Sequence, residues 1–139
     1  MIRFLIALFA LILLAAANDA AARGIEPGRW RITTIMSSPI LSGSQTATST
    51  QCVTREDLKH PRHAIDKRLQ SDCRMASLVQ DGNTYTWEVR CKVAHMSNKG
   101  TLRHGRGTMA GESRTTANLF GQKLDMSTKI FAKRLGPCT

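Results

Sequence analysis

The sequence predicts a mainly β protein: a twisted antiparallel sheet or partly closed barrel of about seven strands, with one short broken helical segment between strands two and three. Three observations carry that expectation. The stretch 73–91 reads as a complete β-hairpin with a cysteine at each foot. Most of the chain from Arg29 onward falls into short runs that alternate apolar and polar side chains, the period of a strand with one buried and one wet face, separated by Gly, Asn and Ser turns. Only residues 54–69 change to helical spacing.

The N-terminus is set apart from this pattern. Met1-Ile2-Arg3 is followed by an uncharged apolar run over residues 4–17 and by Ala20-Ala21-Ala22, which together have the form of a secretory signal peptide. The run is shorter than the roughly 20 apolar residues of a membrane span. Residues 1–22 are therefore expected to be a signal, cleaved after Ala22 or, as second choice, after Ala17, with 23–139 a single β-rich domain in the periplasm or outside the cell. No transmembrane span is expected. Without the signal the domain is roughly one-third apolar, below the usual share. Its core must come from Trp30, Tyr85, Trp87, Phe120 and Phe131 with scattered aliphatic residues. Two disulfides, at about 2 to 4 kcal/mol each, would reinforce so thin a core. Arg3 and Asp19 leave together, so the net charge of +10 is unchanged, and such a surface favours anionic partners.

In chain order, a turn at residues 24–28 leads into a first strand over 29–36, with Trp30, Ile32, Thr34 and Met36 on one face. A Ser, Pro and Gly loop follows, then a Thr-rich second strand over 45–53 whose two faces are both polar, as suits an edge. Thr54 can cap a helix with Asp57 in its first turn. Leu58, Ile65 and Leu69 keep helical spacing, and Pro61 splits the segment. In the hairpin, a three-residue loop Asp81-Gly82-Asn83 places Cys73 opposite Cys91, Met75 opposite Val89, Ser77 opposite Trp87 and Val79 opposite Tyr85. A two-residue loop would slip the register by one and face Cys73 with Arg90, so the first register is adopted. Residues 92–100 read as a loop or frayed strand, 102–109 as a fifth strand weakened by Gly105 and Gly107, 110–112 as a turn and 113–119 as a sixth strand. After a turn at 120–122, Leu124, Met126, Thr128, Ile130 and Ala132 give the last strand a semi-apolar face.

Four cysteines allow three pairings. The hairpin register selects Cys73–Cys91, which leaves Cys52–Cys138. That second bond closes if the helical segment is a crossover that returns strand three parallel to strand two.

Residues with chemical potential are few. His60 and His63 have a spacing that can bring two imidazoles to one metal, but Pro61 lies between them and only Asp57, Asp66 or the distant His95 and His104 offer a third ligand. They read first as part of a solvated basic face, and no metal or other cofactor is expected. The Glu56-Asp57 pair fits the first turn of a capped helix better than an acid and base couple, Gly105-x-Gly107 precedes no helix, and Met75, Met109 and Met126 fit strand faces as core filler. No Gly-x-Ser-x-Gly elbow occurs. Lys59, Arg62, Lys67 and Arg68 crowd the helical segment as candidates for an anion-binding surface, with Lys129, Lys133 and Arg134 on the last strand and Arg29 and Arg31 on the first as a second group. The expectation is a non-enzymatic binding or envelope-interaction protein, its partner an anionic lipid or lipopolysaccharide, or a small apolar ligand held by the sheet. Export takes it away from nucleic acid. The alternative is a small metal-dependent hydrolase using His60 and His63.

Ile25-Glu26-Pro27-Gly28-Arg29-Trp30, Gln51-Cys52-Val53-Thr54 followed by Glu56-Asp57, the 73–91 hairpin with Trp87, and the closing Gly136-Pro137-Cys138 together resemble the secreted proteobacterial proteins grouped as domain-of-unknown-function family 3617. The resemblance spans residues 23–139 and implies a small periplasmic β-rich domain. It carries over no catalytic residue.

Overall fold

Seven antiparallel strands form one open sheet in the order β2-β1-β7-β6-β5-β4-β3. The computed structural model describes residues 24–139, so the expected signal peptide lies outside the described residues. The strands are β1 (Gly28–Ser37), β2 (Gln45–Val53), β3 (Cys73–Asp81), β4 (Thr84–Cys91), β5 (Ser97–His104), β6 (Thr108–Leu119) and β7 (Gln122–Gly136). Two short helices, α1 (Arg55–Lys59) and α2 (Pro61–Asp66), connect β2 to β3, and a 3-10 turn at Val93–His95 connects β4 to β5. Because every ladder is antiparallel, β2 and β3 point the same way although they form opposite edges. The segment with α1 and α2 is the crossover that makes this work.

Alternation sorts the strands into two faces. Trp30, Ile32, Ala132, Met109, Leu102, Val89 and Met75 fall on one of them through successive register pairs. The core against this face is thin: Trp30, Met75, Val89, Ala117 and Ala132, with Ala64 from α2, are the buried hydrophobic residues among those described. Trp30 is its centre at 0% exposure, and its indole N–H donates to the Glu26 carbonyl at 3.0 Å. Arg134 reaches over the same end to donate to the Pro27 carbonyl at 2.9 Å. Gly28 sits between these bonds with φ 150°, and a Cβ there would overlap the Gly136 carbonyl. The Glu26-Pro27-Gly28-Arg29-Trp30 run is thus a clasp that closes the N-terminal segment over β7.

The two edges are treated differently. All of β2 is exposed except half-buried Val53. The β3 edge is occupied by α2, where Arg62 donates to the Met75 carbonyl at 2.8 Å and the Met75 N–H donates to Asp66 at 3.4 Å. Those bonds satisfy backbone groups that an open edge would offer to another chain. At the start of the crossover Thr54 and Asp57 form a reciprocal capping box, and Pro61 opens α2 at a first-turn position where its missing N–H costs nothing.

Three local expectations change. The β3–β4 hairpin has a two-residue loop, Gly82-Asn83, with Asp81 opposite Thr84 and Gly82 at φ 57°. A bulge between Met75 and Ser77 absorbs the slip, so Cys73 still faces Cys91 and Met75 still faces Val89, while Trp87 faces Leu78 instead of Ser77 and Tyr85 faces Gln80 instead of Val79. Further on, residues 97–100 belong to β5, and the turn falls at residues 105–107 where Gly107 has φ 75°. The expected turn at 110–112 is mid-strand. Gly111 is there because a Cβ would strike the Thr101 carbonyl of β5, a close-approach role and not a turn role.

Candidate anion-binding face

The second face of the sheet collects nearly all of the strands' charge. Arg29 and Arg31 on β1, Lys129 and Lys133 on β7, Arg114 on β6, and Lys99 and Arg103 on β5 all alternate with core-face residues and point to this side. Glu88, Glu112 and Asp125 offset them only in part. Register makes the crowding specific: Arg31 lies directly opposite Lys133, and Lys99 directly opposite Arg114. Like charges in such positions destabilise a sheet by a few tenths to about 1 kcal/mol per pair. Among the described residues none of these four cations lies within ion-pair distance of a carboxylate. Glu88, the nearest acid on β4, accepts instead from Arg90 at 2.8 Å, and that bond, with the charges of Arg90 and Lys99, holds its carboxyl below the usual range.

This face is also hollowed. An open trough of about 660 Å³ runs across β4, β5, β6 and β7, with Lys99, Arg114 and Lys129 on its floor beside Glu88 and Glu112, and Thr86, Thr101 and Ser127 supplying hydroxyls between them. The beneath-floor packing explains its flatness at β5: Trp87 lies over Gly100 on the core face, where a Cβ would collide with the indole. The indole N–H is fixed by Asn98 at 2.8 Å, and Asn98 in turn donates to Thr115 at 2.8 Å. Phe131, expected in the core, lies on the charged face, 48% exposed between Lys129 and Lys133, and Val79 at 58% shares that face.

The helical cations are less free than their clustering suggests. Lys59 and Lys67 are exposed, but Arg62 is committed to the Met75 carbonyl and Arg68 donates to the Ala64 carbonyl at 2.8 Å and to Asp57 at 3.3 Å. Two of the four candidates thus hold the crossover together. The Arg68 contact and the Thr54 backbone N–H, chiefly the latter, also lower the Asp57 carboxyl.

His60 and His63 both remain exposed, and His60 faces Glu56 at 3.6 Å. Neither joins a group of three ligand-type side chains among the described residues; the one such group, Asp72 with Cys73 and Cys91, contains cysteines already bonded to each other. His104, singled out only as a distant ligand, is instead 2% exposed against Tyr85, with ring centroids 5.8 Å apart. Burial lowers its pKa, and its Nε2 has no hydrogen-bond partner among the described residues.

Two disulfides complete the frame. Cys73–Cys91 closes the foot of the β3–β4 hairpin, and Cys52–Cys138 ties the end of edge strand β2 to the tail after β7. No helix among the described residues is long and apolar enough to cross a membrane. The molecule is a disulfide-stapled single-sheet protein whose apolar side is its core and whose opposite side is a hollowed cationic surface. The chain belongs to the DUF3617 family, described as proteins of unknown function, whose sequence model matches residues 25–138. No curated protein and no solved structure matches it.

Proposed function

We propose that this is an exported, non-enzymatic protein of the cell envelope that uses the cationic sheet face to bind an anionic lipid surface. The observation that carries the reading is the two pairs of directly opposed cations, Arg31 with Lys133 and Lys99 with Arg114, on one exposed face. Such pairs oppose folding in isolation and become favourable when phosphate or carboxylate groups lie between them. The trough gives those groups a place beside Lys99, Arg114 and Lys129 and the hydroxyls of Thr86, Thr101 and Ser127, with Glu88 opposite Lys99 and Glu112 opposite Lys129 leaving it one positive charge in excess. Two disulfides fit the oxidising compartment beyond the inner membrane.

Binding of this type is multivalent and electrostatic. Each basic residue near an anionic bilayer contributes about 1 kcal/mol, and salt screens the attraction beyond roughly 8 to 10 Å. Purified protein should therefore co-sediment with vesicles containing phosphatidylglycerol at low salt, bind neutral phosphatidylcholine vesicles far less, and lose the electrostatic share of its binding as salt rises. Equal sedimentation with both vesicle types would remove the basis of the reading. A hydrolase centred on His60 and His63 has no geometric support, because those imidazoles acquire no third ligand among the described residues.

A further inference from the structure

The strand order brings three loops to one end of the sheet: β1–β2, β6–β7 and β4–β5. Each presents an exposed apolar side chain. Ile40 is 67% exposed in the first, Leu119 and Phe120 are 42% and 104% exposed in the second, and Val93 is 67% exposed in the third. The loops recur at every second strand, so the tips are spaced at intervals of about 10 Å along the sheet edge. That spacing suits a broad surface rather than a single pocket.

Backbone strain concentrates at the same end. Of the non-glycine residues at positive φ among those described, Ala94, His95 and Phe120 lie here, and the fourth is the terminal Thr139. Phe120 has φ 52° and Gly121 φ 77°, a two-residue turn whose first position is normally held by Asn, Asp or Gly. A fully exposed Phe at this position gains no packing to offset its strain, which directs attention to a contact outside the chain. The β6–β7 hairpin also projects. Its pairing continues to Leu119 with Gln122, whereas the β1 ladder stops at Ser37 with Ser127 and the β5 ladder at Ser97 with Thr116. Lys123 lies one rung behind the tip and Lys92 beside Val93, both exposed and outside ion-pair distance of any carboxylate among the described residues.

We infer that the β6–β7 tip is a membrane-insertion finger: Phe120 and Leu119 enter the interface of an anionic bilayer while Lys123 and Lys92 meet its headgroups. This rests on the lipid-surface reading above and adds to it a second, apolar mode of attachment. A protein pocket or a second copy of the chain fits the tips less well, because they are separated along the edge and flanked by cations. Aromatic and aliphatic side chains with adjacent lysines match the layered chemistry of the bilayer interface.

The test uses Phe120→Asn, which installs the Asn-Gly pair the turn prefers and should melt no lower than the parent, so loss of binding cannot be loss of fold. With vesicles of equimolar phosphatidylglycerol and phosphatidylcholine, the parent should retain a salt-resistant component of binding, and Phe120→Asn should weaken it by about tenfold or more, as removal of one transferred aromatic side chain requires. In Phe120→Trp, brominated acyl chains should quench emission beyond the level seen for the parent's Trp30 and Trp87. Parent-like salt-resistant binding by Phe120→Asn, or no added quenching in Phe120→Trp, overturns the inference. If instead Arg31→Glu and Arg114→Glu leave low-salt binding intact while Phe120→Asn abolishes it on anionic and neutral vesicles alike, the finger stands and the cationic-face reading falls.

Discussion

Serine replacement of both Cys52 and Cys138 should be the most destabilising of the two disulfide deletions. The bond spans 86 residues of sequence, against 18 for Cys73–Cys91. Chain-entropy cost grows with the logarithm of loop length, giving about 4.6 kcal/mol for the long loop and about 3.2 kcal/mol for the short one. Structure widens the difference. Among the described residues β2 pairs with β1 alone and is exposed up to half-buried Val53, so Cys52–Cys138 is the covalent tie that holds this edge at its C-terminal end. Cys73–Cys91 reinforces a hairpin foot already held by backbone pairing on β4 and by the Lys92 N–H donating to the Asp72 carbonyl. With a core as small as this one, a loss of about 4.6 kcal/mol approaches the whole of a small domain's 5 to 15 kcal/mol. Urea unfolding followed by circular dichroism, paired with amide exchange, checks this. Cys52→Ser/Cys138→Ser should unfold at the lower urea concentration and lose protection first across β2. A larger loss from Cys73→Ser/Cys91→Ser, or β2 protection equal to that of β6, would refute the reasoning.

Other outcomes follow from single contacts. Gly100→Ala forces a Cβ into the Trp87 indole and should cost about 1 to 3 kcal/mol, with a changed near-ultraviolet dichroism band from the displaced ring. His104 is neutral and desolvated in the fold, facing Tyr85 on β4 and Met109 on β6, so its folded pKa lies below the ordinary 6.5. The unfolded chain therefore binds the proton first, stability is fully present above about pH 6.5 and declines as pH falls toward the folded value, and the urea midpoint of His104→Phe should decline less over that window. Among the helical cations, Arg62→Ala should lower the urea midpoint because it removes the bond to the Met75 carbonyl, whereas Lys59→Ala and Lys67→Ala should leave it within about 0.5 kcal/mol.

Much of the fold was readable from alternation because the strands other than β2 turn one face to the core and one to solvent. The polar β2 marked itself as an edge, Pro61 marked the helical break, and Thr54 with Asp57 marked the cap. The bulge near Ala76 was not readable: one extra residue lets a two-residue turn and the Cys73–Cys91 pairing coexist, whereas an unbulged hairpin aligns the cysteines only with a three-residue loop. The β5–β6 turn was misplaced because Gly105, Gly107 and Gly111 look alike in sequence, while only a neighbouring strand shows that Gly111 is required by close approach. Site residues behaved similarly. Strand alternation already puts Arg31 and Lys133 on polar faces, but their direct opposition depends on β1 pairing with β7, a contact between the two ends of the domain. The helical arginines appeared free because their acceptors, the Met75 and Ala64 carbonyls and Asp57, are backbone or distant side-chain groups with no local sequence signal.

The central claim, that opposed cations are retained for an anionic surface at some expense in stability, is tested most directly by Arg31→Glu measured in two ways. Arg31 faces Thr50 on one side and Lys133 on the other, so the substitution converts a repulsive cross-strand pair into an attractive one without creating a clash of acids. The variant should unfold at a higher urea concentration, by a few tenths to about 1 kcal/mol. Its affinity for phosphatidylglycerol vesicles at low salt should fall about thirtyfold, the equivalent of about 2 kcal/mol for one attraction removed and one repulsion added. A variant that binds these vesicles as tightly as the parent, or that is less stable than the parent, would contradict the account.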